Sequence, residues 1–116
     1  MNFDISTEHV AGWSIVKVSG ELDMATAGTL QQQLSTQFQI DGHRVAVDLA
    51  GLSFLDSSGL GVLLSGLKTS MAGDGAFALL SPGPPALRVF EAAGVLRFLP
   101  IYSSLDDLPE SGSGSF

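Results

Sequence analysis

The apolar positions of the chain recur in two rhythms, near every second residue in some stretches and every third or fourth in others. Trp13-Ser14-Ile15-Val16-Lys17-Val18-Ser19 is rich in β-branched and aromatic residues and predicts a strand that Gly20 ends. Phe3 and Ile5 alternate within residues 2–6, a short strand, and Thr7 to Gly12 reads as a turn, so a hairpin opens the chain. Ala27, Leu30, Leu34 and Phe38 fall on one helical stripe, which predicts a helix from Ala25 to Gln39 with Asp23 as its N-cap. Gly28 inside it costs about 1 kcal/mol relative to alanine, so this helix depends on packing. Asp41-Gly42 is a turn signal.

Val45 to Leu49 is apolar on both faces except for Asp48, as in a central strand covered twice. A short loop then leads to Asp56 and Ser57, which sit where an N-cap belongs. Leu60, Leu63, Leu64, Leu67 and Met71 follow as one 3.6-period stripe, and the helix stops near residues 72–75 with Gly73 as its C-cap. Ala76 to Leu80 is a further buried strand. After a loop, Pro84 or Pro85 opens a third helix that carries Leu87 and Phe90 and ends at Gly94. Phe98-Leu99 and Ile101-Tyr102 make a last strand, placed at an edge because Pro100 interrupts it, and Ser104 to Leu108 makes a final short helix. Alternating strands and helices predict a single α/β domain over residues 1–108. Its sheet is mostly parallel, with four or five strands, right-handed crossovers and helices packed mainly on one face. Residues 109–116 have linker composition and are expected to be a disordered tail.

The helix that begins at Asp56 draws the chemistry. Its N-terminal end is the positive end of a helix dipole and displays two serines there, a favourable place for an added phosphate. With Leu60 at 0° and about 100° per residue, the leucines stay near 0° and Val62 falls at roughly 200°. Ser58, Gly61, Val62, Ser65, Gly66 and Thr69 therefore share the opposite face, with Lys68 as its only charge. A small, nearly neutral face suits close approach of another protein's backbone, and Val62 is expected to be an exposed contact on it.

Charge and composition remove several classes of function. Twelve acidic residues against five basic give a net charge of −7. Such a chain repels phosphate backbones and anionic lipid, which argues against nucleic-acid and membrane partners. There is no cysteine, so neither disulfides nor thiolate chemistry arise. His9 and His43 flank turns, and no pair of histidines has ligand spacing, so no metal site is expected. Ser57 lacks a nucleophile elbow because Leu55 stands where the first glycine belongs. Gly59-Leu60-Gly61 is a Gly-x-Gly fragment without the third glycine, since position 64 is Leu64, and no cofactor is expected. No apolar run reaches the roughly 18 residues of a membrane span, and the acidic start lacks signal-peptide character. A cytoplasmic, non-enzymatic domain is the expectation.

Asp56-Ser57-Ser58-Gly59-Leu60-Gly61-Val62, together with the preceding residues 47–55, resembles the signature of bacterial anti-sigma factor antagonists, members of the STAS domain family shared with sulfate transporters. Gly20-Glu21-Leu22-Asp23 resembles that family's second motif. Ser81-Pro82, Arg88-Val89-Phe90-Glu91 and Gly94-Val95 resemble its third conserved region. The resemblance implies that Ser57 is phosphorylated, with Ser58 the second choice. It implies that Asp23 lies near that site and helps bind a kinase. Asp23, Asp56, Ser58, Gly61, Val62 and Ser65 are then the expected partner-binding residues. It further implies partner switching: the unphosphorylated form binds an anti-sigma factor, often itself the serine kinase, and frees a sigma factor, and a separate phosphatase restores the serine. Nucleotide would belong to the kinase. Related domains that serve as regulatory modules or as subunits of lipid-transport complexes, without a phosphoswitch, are the alternative.

Overall fold

The structure is a computed structural model that describes residues 2–40, 43–73 and 75–109. The Asp41-Gly42 turn, Asp74 and the tail from Glu110 lie outside the described residues. In chain order the elements are β1 (Phe3–Val10), β2 (Trp13–Leu22), α1 (Ala27–Phe38), β3 (Arg44–Leu55), α2 (Ser57–Ala72), β4 (Ala76–Leu80), α3 (Pro84–Ala92) and β5 (Ile101–Tyr102). Single 3-10 turns at Leu96–Phe98 and Leu105–Asp107 flank β5. The sheet has five strands in the order β1-β2-β3-β4-β5. The β1–β2 pair is antiparallel and the remaining pairs are parallel. The expected small α/β fold is the observed one, and β5 does lie at an edge.

One face of the sheet carries Val16, Val18, Val45, Val47, Phe77 and Leu79 and packs against buried residues of all three helices, including Leu30, Leu34, Leu63 and Phe90. The second face carries Trp13, Ile15, Ala46, Ala78 and Leu80. There Leu105 and Leu108 of the C-terminal segment close one end, and the Trp13 indole N–H donates to the Pro109 carbonyl at 2.8 Å.

The hairpin is longer than its sequence suggested. Thr7 to Val10 pair with Trp13 to Val16 instead of forming a turn. The alternation of β1 continues through Thr7 and His9, whose polar side chains are satisfied by α1: Gln33 Nε2 donates to Thr7 Oγ1 at 2.7 Å, and His9 Nε2 lies 3.2 Å from Gln37 Oε1. The turn proper is Ala11-Gly12, both at positive φ (52° and 86°), as a two-residue hairpin requires.

Gly20 does not end β2. It adopts φ +89°, and a Cβ there would overlap the Asn2 carbonyl oxygen. The strand runs on to Leu22, with register shifts against β3 between Lys17 and Ser19 and between Gly20 and Glu21. The same shifts explain why β3 extends to Leu55, six residues past its expected end at Leu49. Leu49, Leu52 and Leu55 are buried at intervals of three, so the period-2 signature of a strand is lost.

Candidate functional site

The ends of β2 and β3 meet the starts of α1 and α2 at one rim of the sheet. Leu22 is the register partner of Leu55, and the Asp56 amide donates to the Leu22 carbonyl at 3.2 Å. Asp56 is the N-cap of α2, as expected. Its Oδ1 accepts from the Ser58 amide at 2.9 Å and the Gly59 amide at 3.1 Å, and its carbonyl accepts from the Leu60 amide at 3.0 Å. A cap of this kind is worth about 1 kcal/mol.

Gly59 lets the first turn of α2 sit on the sheet: a Cβ there would come within 2.6 Å of Leu55 Cδ1 and 2.7 Å of Leu22 Cγ. With Gly59 and Leu60 turned inward, Ser57 is left exposed and Ser58 half-buried.

Asp23 is not the N-cap of α1; that position is Thr26, whose side chain makes no cap bond. Asp23 instead closes the turn before the helix. Its Oδ1 accepts from the Ala25 amide at 2.9 Å and the Thr26 amide at 3.2 Å. The Thr26 hydroxyl accepts from the Asp23 amide at 2.9 Å and donates to the Glu21 carbonyl at 2.8 Å. Thr26 was not singled out in the sequence, although an Asp followed three residues later by Thr is a turn pattern with a mechanism. Because Leu22 bonds Asp56, its neighbour Asp23 and the α2 cap share one acidic rim, together with Glu21. Two exposed apolar residues border it in the chain: Met24 (81% exposed), next to Asp23, and Phe54, opposite Glu21 in the β2–β3 ladder.

The rotation of α2 differs from expectation by about 100°, given 3.6 residues per turn. Val62, expected at the surface, is 8% exposed and belongs to the core beneath the helices. Gly66, placed on the same outward face, is buried; a Cβ there would lie 2.8 Å from the Phe77 ring. Met71, expected in the buried stripe, is 76% exposed, and Leu64 and Leu67 are only half-buried. The physical reason is the small residues Gly59, Gly66 and Ser70. They make the closest face of the helix toward the sheet, so the leucines mark one flank of the buried arc and not its centre. The outward line is Ser57, Gly61, Lys68 and Met71, with Leu64 and Ser65 half-buried beside it. Gly61 is exposed, with nothing within 4 Å of where its Cβ would be.

Of the expected site residues, the structure brings Asp23, Asp56, Ser57 and Ser58 together at the rim and sets Gly61 and Ser65 one and two turns along α2. Among the described residues no group of acidic or histidine side chains has metal-binding geometry, and no helix is long and apolar enough to cross a membrane. The Lys17–Glu8 ion pair, 2.9 Å, lies on the second face of the sheet. Its hydrogen bond and the charge of Glu8 raise the Lys17 pKa above the usual value, with a smaller contribution from Asp48. A cavity of about 200 Å³ lined by Val10, Ala11, Trp13, Leu105, Asp106, Leu108 and Pro109 contains none of the rim residues.

Comparison with known proteins matches residues 4–108 to the family model of the STAS domain. An anti-sigma F factor antagonist of Paenibacillus polymyxa is 35% identical over 105 residues, covering 90% of each chain. Among solved structures, an anti-sigma factor antagonist from Mycobacterium paratuberculosis superimposes with a TM-score of 0.78 at 30% identity, covering 91% of this chain and 90% of that one. The anti-sigma factor antagonist SpoIIAA in its unphosphorylated form superimposes with a TM-score of 0.72 at 26% identity, over 89% and 91% of the two chains. The phosphorylated form of SpoIIAA, described as a Bacillus cell fate determinant, gives 0.68 at 26% identity, over 89% and 95%.

Proposed function

The chain belongs to the STAS domain family, and on that premise we propose that it is an anti-sigma factor antagonist switched by phosphorylation of Ser57. The unphosphorylated protein binds an anti-sigma factor and so frees a sigma factor. A serine kinase, the anti-sigma factor itself or one allied to it, transfers the γ-phosphoryl group of ATP to Ser57 Oγ. The bond to the leaving ADP breaks, and the serine proton is lost. A phosphatase hydrolyses the ester and restores the binding form. The domain is the substrate of both reactions and catalyses neither. Its setting is the cytoplasm, where ATP and sigma factors are found.

One observation carries this reading: Ser57 stands exposed at the first position of α2, directly after the Asp56 cap, while Ser58 is half-buried with its amide held by Asp56. Phosphorylation adds about −1.5 to −2 charges at pH 7. At the margin of a docking surface that charge must be desolvated or repelled, and a few kcal/mol of such cost lowers affinity at least about a hundredfold. The docking surface is the rim of Asp23, Asp56 and Ser58 continued along α2 through Gly61 and Ser65. Val62, being core, is not part of it.

The test is intact mass and partner titration after incubation with ATP and an anti-sigma kinase from the same genome. Wild type is expected to gain one phosphate and lose partner affinity, and Ser57→Ala to gain none. Undiminished phosphate on Ser57→Ala moves the assignment to Ser58. Equal partner affinity of the phosphorylated and unphosphorylated forms excludes the switch.

A further inference from the structure

We infer that Asp56 is a positioning residue that keeps a phosphate on Ser57 out of the α2 cap, so that the modified serine presents its charge outward. The inference rests on Ser57 being the phosphoacceptor. A phosphate at a helix start ordinarily finds free backbone N–H groups. Of the four amides that a helix start leaves without an intrahelical partner, three are already committed here: Ser58 and Gly59 to the Asp56 Oδ1, and Asp56 itself to the Leu22 carbonyl.

Asp56 is held in place for that task. Its backbone is extended, at φ −115° and ψ −173°, as an N-cap requires, and its own amide is anchored on Leu22. Ser57 is one residue further on, and its side chain is exposed. A phosphate there reaches the Ser58 and Gly59 amides only by expelling the Asp56 carboxylate, and while that carboxylate stays, the two anions repel each other. The result is a dianion that α2 does not neutralise. It is open to a phosphatase and directed at whatever docks on the rim. In the absence of Asp56 the same phosphate would sink into the helix end and stabilise the helix instead.

The test requires no kinase: phosphoserine is incorporated at position 57 during translation, in wild type and in Asp56→Ala, alongside the unmodified forms. In wild type, the hydrogen-exchange rates of the Ser58 and Gly59 amides should change by less than about threefold on modification. Asp56→Ala should lower the melting temperature of the unmodified protein by roughly 3–6 °C, the loss of a cap. In the phosphoserine protein the same substitution should cost less than half of that, because the phosphate takes the vacated amides. Equal losses in both forms, or a cap in wild type that is remade around the phosphate with Asp56 released, would overturn the inference. If Asp56→Ala does not fold, the exchange comparison in wild type decides alone. A phosphoserine protein that keeps full affinity for its anti-sigma factor would defeat the phosphoswitch while leaving the amide result standing.

Discussion

The Asp56 amide donates to the Leu22 carbonyl across the β2–β3 boundary, and the Leu22 side chain fills the space that a Cβ on Gly59 would need. Leu22 thus supports the first turn of α2 twice, through its backbone and through its side chain. Asp23 follows it directly, so the acidic turn and the serine cannot shift independently. Asp23→Ala is therefore expected to do two things. It should lower stability by about 1 kcal/mol through loss of the turn cap, read as a urea midpoint. It should also reduce phosphate incorporation at Ser57 by more than that loss of folded protein explains. Kinase turnover unchanged beside a lowered midpoint would leave Asp23 with the capping role alone.

Thr26 knits the same turn. Thr26→Val removes the donor to Glu21 and the acceptor for the Asp23 amide, and should cost about 1–2 kcal/mol in chemical denaturation. Thr26→Ser keeps both bonds and should recover most of it. Equal losses for the two substitutions would assign the effect to the methyl group.

Positions 61, 62 and 66 of α2 should respond in opposite directions. Val62→Glu places a charge in the core and should destabilise the domain by about 3 kcal/mol or more. Gly66→Ala pushes a methyl group toward the Phe77 ring and should cost about 1–3 kcal/mol. Gly61→Ala meets open space and should raise the melting temperature, by up to about 1 kcal/mol of stability. If Gly61 is glycine for the sake of a partner, the same alanine weakens binding. A melt and a titration on each variant read both effects.

The Ala11-Gly12 turn asks an alanine to hold φ 52°. Ala11→Asn suits that conformation and should stabilise the hairpin by about 0.5–1 kcal/mol, seen as a higher denaturation midpoint with an unchanged slope.

Truncation should distinguish the two parts of the C-terminal segment. Ending the chain at Pro109 keeps Leu105, Leu108 and the carbonyl that Trp13 uses, and should leave the midpoint within error. Ending it at Ser103 uncovers Trp13, Ile15 and Leu80 and should lower the midpoint and shift Trp13 emission to the red.

The sequence made the α2 cap, the place of Ser57 at the helix start and the strand–helix order legible, because Asp at an N-cap and leucines at helical spacing state their physics locally. The rotation of α2 was hidden because glycine and serine mark its closest approach to the sheet, and small residues carry little hydrophobic signal. The C-terminal half of β3 was hidden for a different reason: two register shifts against β2 broke the alternation that identifies a strand. The end of β1 was missed because its inward residues, Thr7 and His9, are polar and find their partners only across space, in Gln33 and Gln37.

The order of strands in the sheet equals their order in the chain, and this bears on how the protein is made. As the polypeptide leaves the ribosome, each new strand is added to the outer edge of what already exists. None has to be inserted later between two earlier ones, so few long loops must close before they are rewarded. The exception is Trp13, whose indole partner is Pro109, 96 residues away. Its surroundings are complete only when the last described residues arrive, so the emission of the single tryptophan reports the closing event of folding rather than its beginning.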